Sequence, residues 1–286
     1  MTKGICEMKT GIIDCGGGLR DIYGAGVFDY CLDNNISFDV VIGISAGSAN
    51  LASYVSGQRG RNYSFYYDYP FRKEYMSVDN FINKKYYLDL DYVYGELSKE
   101  NGENPFDFEK FKENKCEKYI IATNAKTGRA QYFNANDMSK NNYWMLKASS
   151  CIPVVCSPAV ENDIRYFDGG LSDPIPIDFA IKKGCDKIVV IWTKPLNDVG
   201  NFKLDEMAGH ALKKKYPNIS NDLLNRKDKV EKALEYAKRL RNEGKVLIIS
   251  PESIGKMSTL TKDKEALDML YKTGYSDAKK IIEFIK

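Results

Sequence analysis

The segment Phe38-Asp39-Val40-Val41-Ile42 runs directly into Gly43-Ile44-Ser45-Ala46-Gly47. The apolar, β-branched run reads as a buried strand, and the small-residue stretch Ala46 to Val55 that follows is compatible with a helix. A serine with a glycine two positions away on either side, set on a sharp strand-to-helix turn, has the form of a nucleophile elbow. A side chain at Gly43 or Gly47 would collide with the turned backbone, so only hydrogen fits there. The serine oxygen then points out of the fold, and a helix starting beside it aims its positive end and its free N–H groups at the same spot. An oxygen so placed suits acyl transfer through a serine nucleophile. Short glycine–serine patterns also occur in ordinary strand-to-helix connections, so the rest of the chain has to decide between the two.

Around the elbow, strands and helices alternate. Thr10 to Cys15 reads as a short buried strand, Gly16-Gly17-Gly18 forces a loop, and Arg20 to Asn34 carries an apolar pattern that predicts a helix. The order strand–helix–strand–helix predicts an α/β fold with a mainly parallel central sheet and helices on its faces. Tyr119 to Ala125 and Arg129 to Phe133 read as two strands joined through Lys126-Thr127-Gly128. Met138 to Ser149 reads as a helix, and Ala159 to Asp168 as a hairpin turning at Glu161-Asn162-Asp163. Ile177 to Lys183 predicts a helix ending at Gly184, and Lys187 to Thr193 a strong strand. Val230, Ala233, Leu234, Ala237 and Leu240 form a helical stripe closed by Gly244, followed by a strand over Lys245 to Ser250 and helices around Ala266 to Tyr271 and Asp277 to Ile285. Residues 58 to 105, rich in tyrosine and asparagine, lack a clean period. They read as an insertion over the sheet close to the substrate, or as a plain surface excursion.

Composition narrows the function classes. The 42 Lys+Arg against 39 Asp+Glu are too balanced and too scattered to point to nucleic acid. Met1 to Lys9 lacks an apolar run of signal-peptide length, and no stretch approaches about 18 uninterrupted apolar residues, so a cytoplasmic protein without a spanning helix is expected. The cysteines, Cys6, Cys15, Cys31, Cys116, Cys151, Cys156 and Cys185, are odd in number and show no CxxC spacing, which fits reduced, mostly buried thiols. With His210 as the sole histidine, no metal site is expected, and no cofactor is implied.

A serine nucleophile needs a base. His210 would complete a Ser45–Asp168–His210 order of the α/β-hydrolase kind. However, only one strand precedes the elbow here, and His210 stands in a charged helical context beside Lys213, Lys214 and Lys215. Asp168 ends the apolar segment Tyr166-Phe167, and Gly169-Gly170 after it imply a tight turn with close backbone approach. It is either a base pointing into the elbow's cleft or a turn aspartate capping its own backbone. Gly16-Gly17-Gly18 lies at the same predicted sheet edge, and its amides could hold the oxyanion of an acyl-transfer intermediate, a contribution of about 3–4 kcal/mol. A phosphate loop is the rival reading, but GxxxxGK[ST] is absent and GxGxxG fails at Asp21.

Gly16-Gly17-Gly18-Leu19-Arg20, Gly43-Ile44-Ser45-Ala46-Gly47 and Asp168-Gly169-Gly170, in that order, resemble the patatin-like phospholipases. Ala148-Ser149-Ser150-Cys151-Ile152-Pro153 is similar to the block that precedes the family's aspartate. Pro251-Glu252 and Leu270 to Tyr275 are similar to a C-terminal extension found in a bacterial branch. The resemblance implies a three-layer fold, a catalytic unit over 10–195 and an extension over 196–286 on or beside the same sheet. It implies Ser45 as nucleophile and Asp168 as direct base without histidine, with an oxyanion site from the amides of Gly16 to Gly18 and Leu19. Arg20 would be a structural or electrostatic aid. The substrate would be a phospholipid or another acyl ester, with transient contact to a membrane surface. Asp21 departs from the family's usual glycine and is expected to set a carboxylate beside the anion site. That departure favours a second reading, a non-catalytic protein that binds an acyl lipid or a partner.

Overall fold

Alternating β-branched and aliphatic residues build the strands β1 (Thr10–Asp14), β2 (Val40–Ile44), β3 (Glu117–Asn124), β4 (Ala130–Asn134), β5 (Ala159–Glu161), β6 (Ile164–Asp168), β7 (Lys187–Ile191) and β8 (Val246–Ile249). The computed structural model describes residues 8–286; Cys6 and most of the Met1 to Lys9 stretch lie outside the described residues. All eight strands form one sheet in the order β5-β6-β3-β2-β1-β7-β8, with β4 also paired to β3. The pairs β1–β2, β1–β7, β2–β3 and β7–β8 are parallel. Those involving β4, β5 and β6 are antiparallel.

The helices are α1 (Ile22–Asp33), α2 (Ala46–Val55), α3 (Arg61–Tyr67), α4 (Val78–Lys84), α5 (Phe108–Glu113), α6 (Trp144–Ser150), α7 (Ile177–Lys182), α8 (Lys203–Leu212), α9 (Pro217–Leu224), α10 (Arg226–Asn242), α11 (Lys264–Asp277) and α12 (Lys280–Ile285). They cover both faces of the sheet, and the period of two in the strands explains how. Ile12, Val41, Val189 and Ile191 pack with Phe28 of α1, Leu51 of α2 and Leu270 of α11. Ile13, Ile42 and Val190 pack with Ala180 of α7 and with Leu234 and Ala237 of α10. Each such fully buried aliphatic side chain contributes about 1.5–3 kcal/mol. The C-terminal region joins this body directly: β8 adds a strand beside β7, and α11 lies on α1. At that crossing a Cβ on Gly26 or Gly274 would overlap the backbone of Tyr271 or Tyr23.

The hairpin β5–β6 turns on Asn162 and Asp163, both at positive φ (48° and 61°), as a two-residue primed turn requires. Residues 58 to 105 fold as α3, α4, a 3-10 turn at Tyr69–Phe71 and a π-helical turn at Tyr92–Leu97, an irregular backbone that accounts for the missing period.

One detail of pairing positions the site. Tyr119 to Ile121 of β3 pair with β2 on one edge and β4 on the other, whereas Ala122 and Thr123 pair with β6 and β4. Strands β2 and β6 therefore share a single edge of β3, end to end. Parallel β2 runs up to the Ile44–Ile121 register, and antiparallel β6 arrives at the Asp168–Ala122 register.

Candidate active site

Ser45 is the first residue past the end of β2 and Asp168 the last of β6, so the shared edge brings the two together. Ser45 takes φ 55° and ψ −132°, a backbone region that costs a non-glycine residue about 1–3 kcal/mol. The elbow glycines leave no slack: a Cβ on Gly43 would lie 2.5 Å from Ser48 Cα, and one on Gly47 2.5 Å from the Asp14 carbonyl oxygen. What holds the strained serine is α6. The Ser45 N–H donates to Ser149 Oγ (2.8 Å), and Ser149 Oγ donates onward to the Ile121 carbonyl (2.6 Å). A hydroxyl thus stands in for the ladder hydrogen bond that β2 can no longer make. Ser150 Oγ donates to the Ser45 carbonyl (3.1 Å) and is itself joined to the Tyr94 hydroxyl (2.9 Å). The Ala148-Ser149-Ser150 block noted in the sequence is the clamp of the elbow.

Asp168 is buried. Its Oδ1 accepts from the Gly170 N–H (2.8 Å), and its backbone N–H donates to the Cys151 carbonyl (2.8 Å). It therefore caps its own turn and also faces the serine. Gly169 crosses so close to the Ile121 carbonyl that a Cβ would overlap it. Burial raises the Asp168 pKa. Against it act the Arg226 guanidinium, the Ser45 hydroxyl as a hydrogen-bond donor and the Gly170 N–H, while Asp205 pushes the same way as burial.

The glycine loop sits beside the elbow. Gly16, Gly17 and Gly18 all have positive φ (70°, 151° and 62°), and a Cβ on Gly16 would come within 2.9 Å of Ser45 Cβ. The Gly16 N–H donates to Asp14 Oδ1 (3.1 Å), and the Leu19 N–H donates to the Thr259 carbonyl (2.8 Å). Those two expected oxyanion donors are thus committed elsewhere, which leaves Gly17 and Gly18 as the uncommitted amides of the glycine run among the described groups. Arg20 is buried and donates from Nη1 to Thr259 Oγ1 (3.2 Å). Burial lowers its pKa.

Asp21 does not sit beside the anion site as expected from sequence. It is fully buried under the loop, where a Cβ on Gly24 would lie 2.6 Å from both Asp21 Oδ1 and Asp14 Oδ2. Asp14 Oδ2 accepts from Asn50 Nδ2 (3.0 Å), whereas neither Asp21 oxygen accepts from a donor among the described groups, and the contact left to it is the Asp14 carboxyl. Burial raises both pKa values, Asp14 to about 6 and Asp21 well above the ordinary range, with Asp14 adding to the rise at Asp21. Two buried carboxyls so close hold one proton between them. With the donors all on Asp14, ionisation is favoured there over Asp21.

Several site groups lacked a local signature in the sequence. Arg226, at the start of α10, pairs with Asp205 of α8 (2.8 Å). Lys194 is pulled down to about 8 by burial, with Arg20 and Arg226 repelling its charge. His210 is exposed on α8. On the other side of Ser45 opens a cavity lined chiefly by apolar side chains. Ala46, Ala49 and Ala52, one small-residue face of α2, form one wall. Residues 58 to 105 form much of the rest through Phe65, Tyr75, Met76, Leu88, Leu90 and Val93. The segment of uncertain role is thus part of the cavity wall.

A family model described as "Patatin-like phospholipase" matches residues 15–181, more than half of the chain. A second, described as a domain of unknown function (DUF6363), matches residues 216–286. The chain is 30% identical over 190 residues to "Uncharacterized protein YjjU" of Escherichia coli strain K12, an alignment that spans 63% of this chain and 50% of that protein. It therefore covers about half the length of that curated relative. Among solved structures it is similar to VipD from Legionella pneumophila, with a TM-score of 0.49 and 14% identity over 97% of this chain and 67% of that one.

Proposed function

This chain belongs to the patatin-like phospholipase family, a family of lipid acyl hydrolases, and from that premise we propose that it cleaves an acyl ester through a Ser45–Asp168 dyad and an acyl-enzyme. The reading is carried by the meeting of Ser45 with Asp168 where β2 and β6 share the edge of β3, beside an apolar cavity that suits an acyl chain.

In the first step ionised Asp168 accepts the Ser45 proton as Ser45 Oγ attacks the ester carbonyl carbon. The N–H groups of Gly17 and Gly18 receive the oxyanion. The intermediate collapses, the leaving alcohol takes the proton from Asp168, and an acyl-serine remains. Water then gives a proton to Asp168 and attacks the acyl carbon. Ser45 leaves with that proton, and the fatty acid is released. Asp168 suits the base role because burial makes its carboxylate more basic, while Arg226 and the Gly170 N–H keep the ionised form accessible.

Arg20, Lys194 and Arg226 give this side of the site positive charge, which favours an anionic headgroup on the leaving alcohol. Residues 10–195 would carry the chemistry, and 196–286 would complete its charge environment. Val78, Phe81 and Ile82 of α4 are exposed at i, i+3, i+4 spacing, next to cavity-lining Met76, and would meet a lipid surface.

The test is labelling with a fluorophosphonate together with turnover of a short-chain nitrophenyl ester. Ser45→Ala should abolish both, Asp168→Asn should abolish turnover, and His210→Ala should change neither. Labelling and cleavage that survive Ser45→Ala would remove the serine from the reaction.

A further inference from the structure

The glycine loop is bracketed by two acids that the hydrolysis just described leaves unused. Asp14 ends β1, and Asp21 ends the 3-10 turn Gly18–Asp21 that leads into α1. Both are fully buried. Their carboxyls meet beneath the loop: a Cβ on Gly24 would lie 2.6 Å from each, and the two side chains hydrogen-bond to one another. Two carboxylates have no hydrogen to give, so that bond exists only while the pair keeps a proton.

Asp14 is hemmed in by the site. Its Oδ1 accepts from the Gly16 N–H (3.1 Å) and its Oδ2 from Asn50 Nδ2 (3.0 Å), while a Cβ on Gly47 of the elbow would lie 2.6 Å from Asp14 Cγ. Asn50 Nδ2 also donates to the Asp21 carbonyl (3.0 Å), and Asn50 Oδ1 accepts from the Tyr66 hydroxyl (3.0 Å). The loop has further anchors: Thr193 Oγ1 donates to the Gly16 carbonyl (2.9 Å), and the Leu19 N–H donates to the Thr259 carbonyl (2.8 Å). Those groups are neutral at every working pH, whereas Asp14 and Asp21 titrate.

The ionisable neighbours of the pair are Cys15 on β1, Arg20 on the 3-10 turn and Tyr66 on α3. Arg20 pulls the Asp21 pKa down against burial. Burial and the charge of the two acids raise the Cys15 thiol and the Tyr66 phenol, so both stay neutral while the carboxyls titrate. From α1 and α2 the pair meets uncharged Gly24 and Asn50. A second negative charge would therefore sit beside the first in a buried place without water to separate them. The elbow blocks Asp14 on one side. The strain falls on the segment joining the two acids, whose three glycines yield most readily.

We infer that Asp14 and Asp21 are positioning residues for the oxyanion site: the proton they share latches the two ends of the glycine loop together and so aims the Gly17 and Gly18 amides, and loss of that proton releases them. The inference rests on the hydrolase reading for its effect on turnover, and on the fold alone for the latch.

Ester kinetics against pH test the first part. The unaltered chain should lose kcat about tenfold per pH unit on the basic side, with KM little changed, because the amides act on the transition state. Asp21→Asn, which cannot ionise and keeps a donor for Asp14, should remove that basic limb. Asp21→Ala, which can neither ionise nor bridge, should lower kcat at every pH and show no basic limb. A basic limb that persists in Asp21→Asn would overturn the inference, as would a level profile of the unaltered chain up to about pH 10. Hydrogen–deuterium exchange tests the latch without turnover, each variant being compared with the unaltered chain at the same pH so that the intrinsic exchange rate cancels. Residues 15–21 should lose protection as pH rises in the unaltered chain and keep it in Asp21→Asn. Equal protection of the two at every pH would overturn the latch. Should Asp21→Asn misfold, protection of residues 15–21 in the unaltered chain, taken against that of β2 at the same pH, decides the matter: a constant ratio overturns the latch. Failure of fluorophosphonate labelling would count against the hydrolase reading and leave the exchange result standing.

Discussion

Replacing Ser149 with alanine should damage the site without touching any reacting group. Its hydroxyl is fully buried and joins the Ser45 N–H to the Ile121 carbonyl at 2.8 and 2.6 Å. Alanine has nearly the same volume, so no large cavity opens. The loss is two hydrogen bonds and two stranded buried groups, worth about 2–3 kcal/mol together. For a chain of this size that corresponds to a fall in Tm of roughly 5 °C. The effect on turnover should be larger in proportion. Ser45 is held at positive φ against about 1–3 kcal/mol of backbone strain, and without Ser149 it has one tether fewer to resist relaxation. A displacement of about 1 Å at the nucleophile lowers turnover by roughly a hundredfold. Scanning calorimetry and ester kinetics would therefore show a modest drop in Tm, a large drop in kcat and little change in KM. Ser150→Ala is the control. The Ser45 carbonyl that it serves also accepts from the Ser48 N–H (3.0 Å) and Ser48 Oγ (2.6 Å), so losing Ser150 strands the Tyr94 hydroxyl (2.9 Å), at about 1–2 kcal/mol, but leaves Ser45 tethered and kcat little changed. A Ser149→Ala chain with unchanged Tm and kcat, or one matched by Ser150→Ala, would refute the clamp.

Other perturbations have definite signs. Arg226 lowers the Asp168 pKa, so Arg226→Gln raises it. Because the base must be ionised, the acidic limb of the kcat/KM profile moves to higher pH, with the greatest loss on the acid side and partial recovery in Arg226→Lys; an unmoved limb would separate Arg226 from the base. Asp14 and Asp21 titrate above the carboxylate range when folded, so their contribution is complete below the unfolded pKa near 3.8 and is lost as pH rises, for Asp14 through about 6. Asp21→Asn, a permanent donor to Asp14, should therefore raise Tm relative to the parent by an amount that grows from pH 5 to pH 8, as thermal scans would show. Gly18→Ala places a Cβ at φ 62° against Thr259. It should cost at least about 1–2 kcal/mol and lower kcat by displacing the loop, read by denaturant titration and ester kinetics.

The elbow and the hairpin were legible because each is written locally, in glycines at fixed spacing and in an Asn-Asp pair that tolerates positive φ. The parallel sheet followed from the alternation of strands and helices. Asp168 was legible as a strand-end carboxylate, but its approach to Ser45 depends on β2 and β6 sharing one edge of β3, a long-range pairing with no local mark. Ser149 acts through a hydroxyl inserted into a ladder, and such a serine looks like any other small residue in a helix. Arg226 and Lys194 reach the site from far along the chain. Asp21 was misplaced because one residue of 3-10 turn decides whether its side chain faces the cleft or the interior. The 58 to 105 segment gave no period because it lines the cavity from irregular backbone, where inward side chains follow neither 3.6 nor 2.

Since strand register brings Ser45 and Asp168 face to face, the intervening polypeptide is free to change. Insertions between β2 and β3 can reshape what is recognised without moving the chemistry, much as a tool holder accepts different bits. A one-residue slip of β6 against β3, by contrast, would turn Asp168 to the opposite face of the sheet and silence the centre at a stroke. Diversification and engineering of this scaffold should therefore concentrate in the excursion over the cavity and spare the few positions where the two strand ends meet.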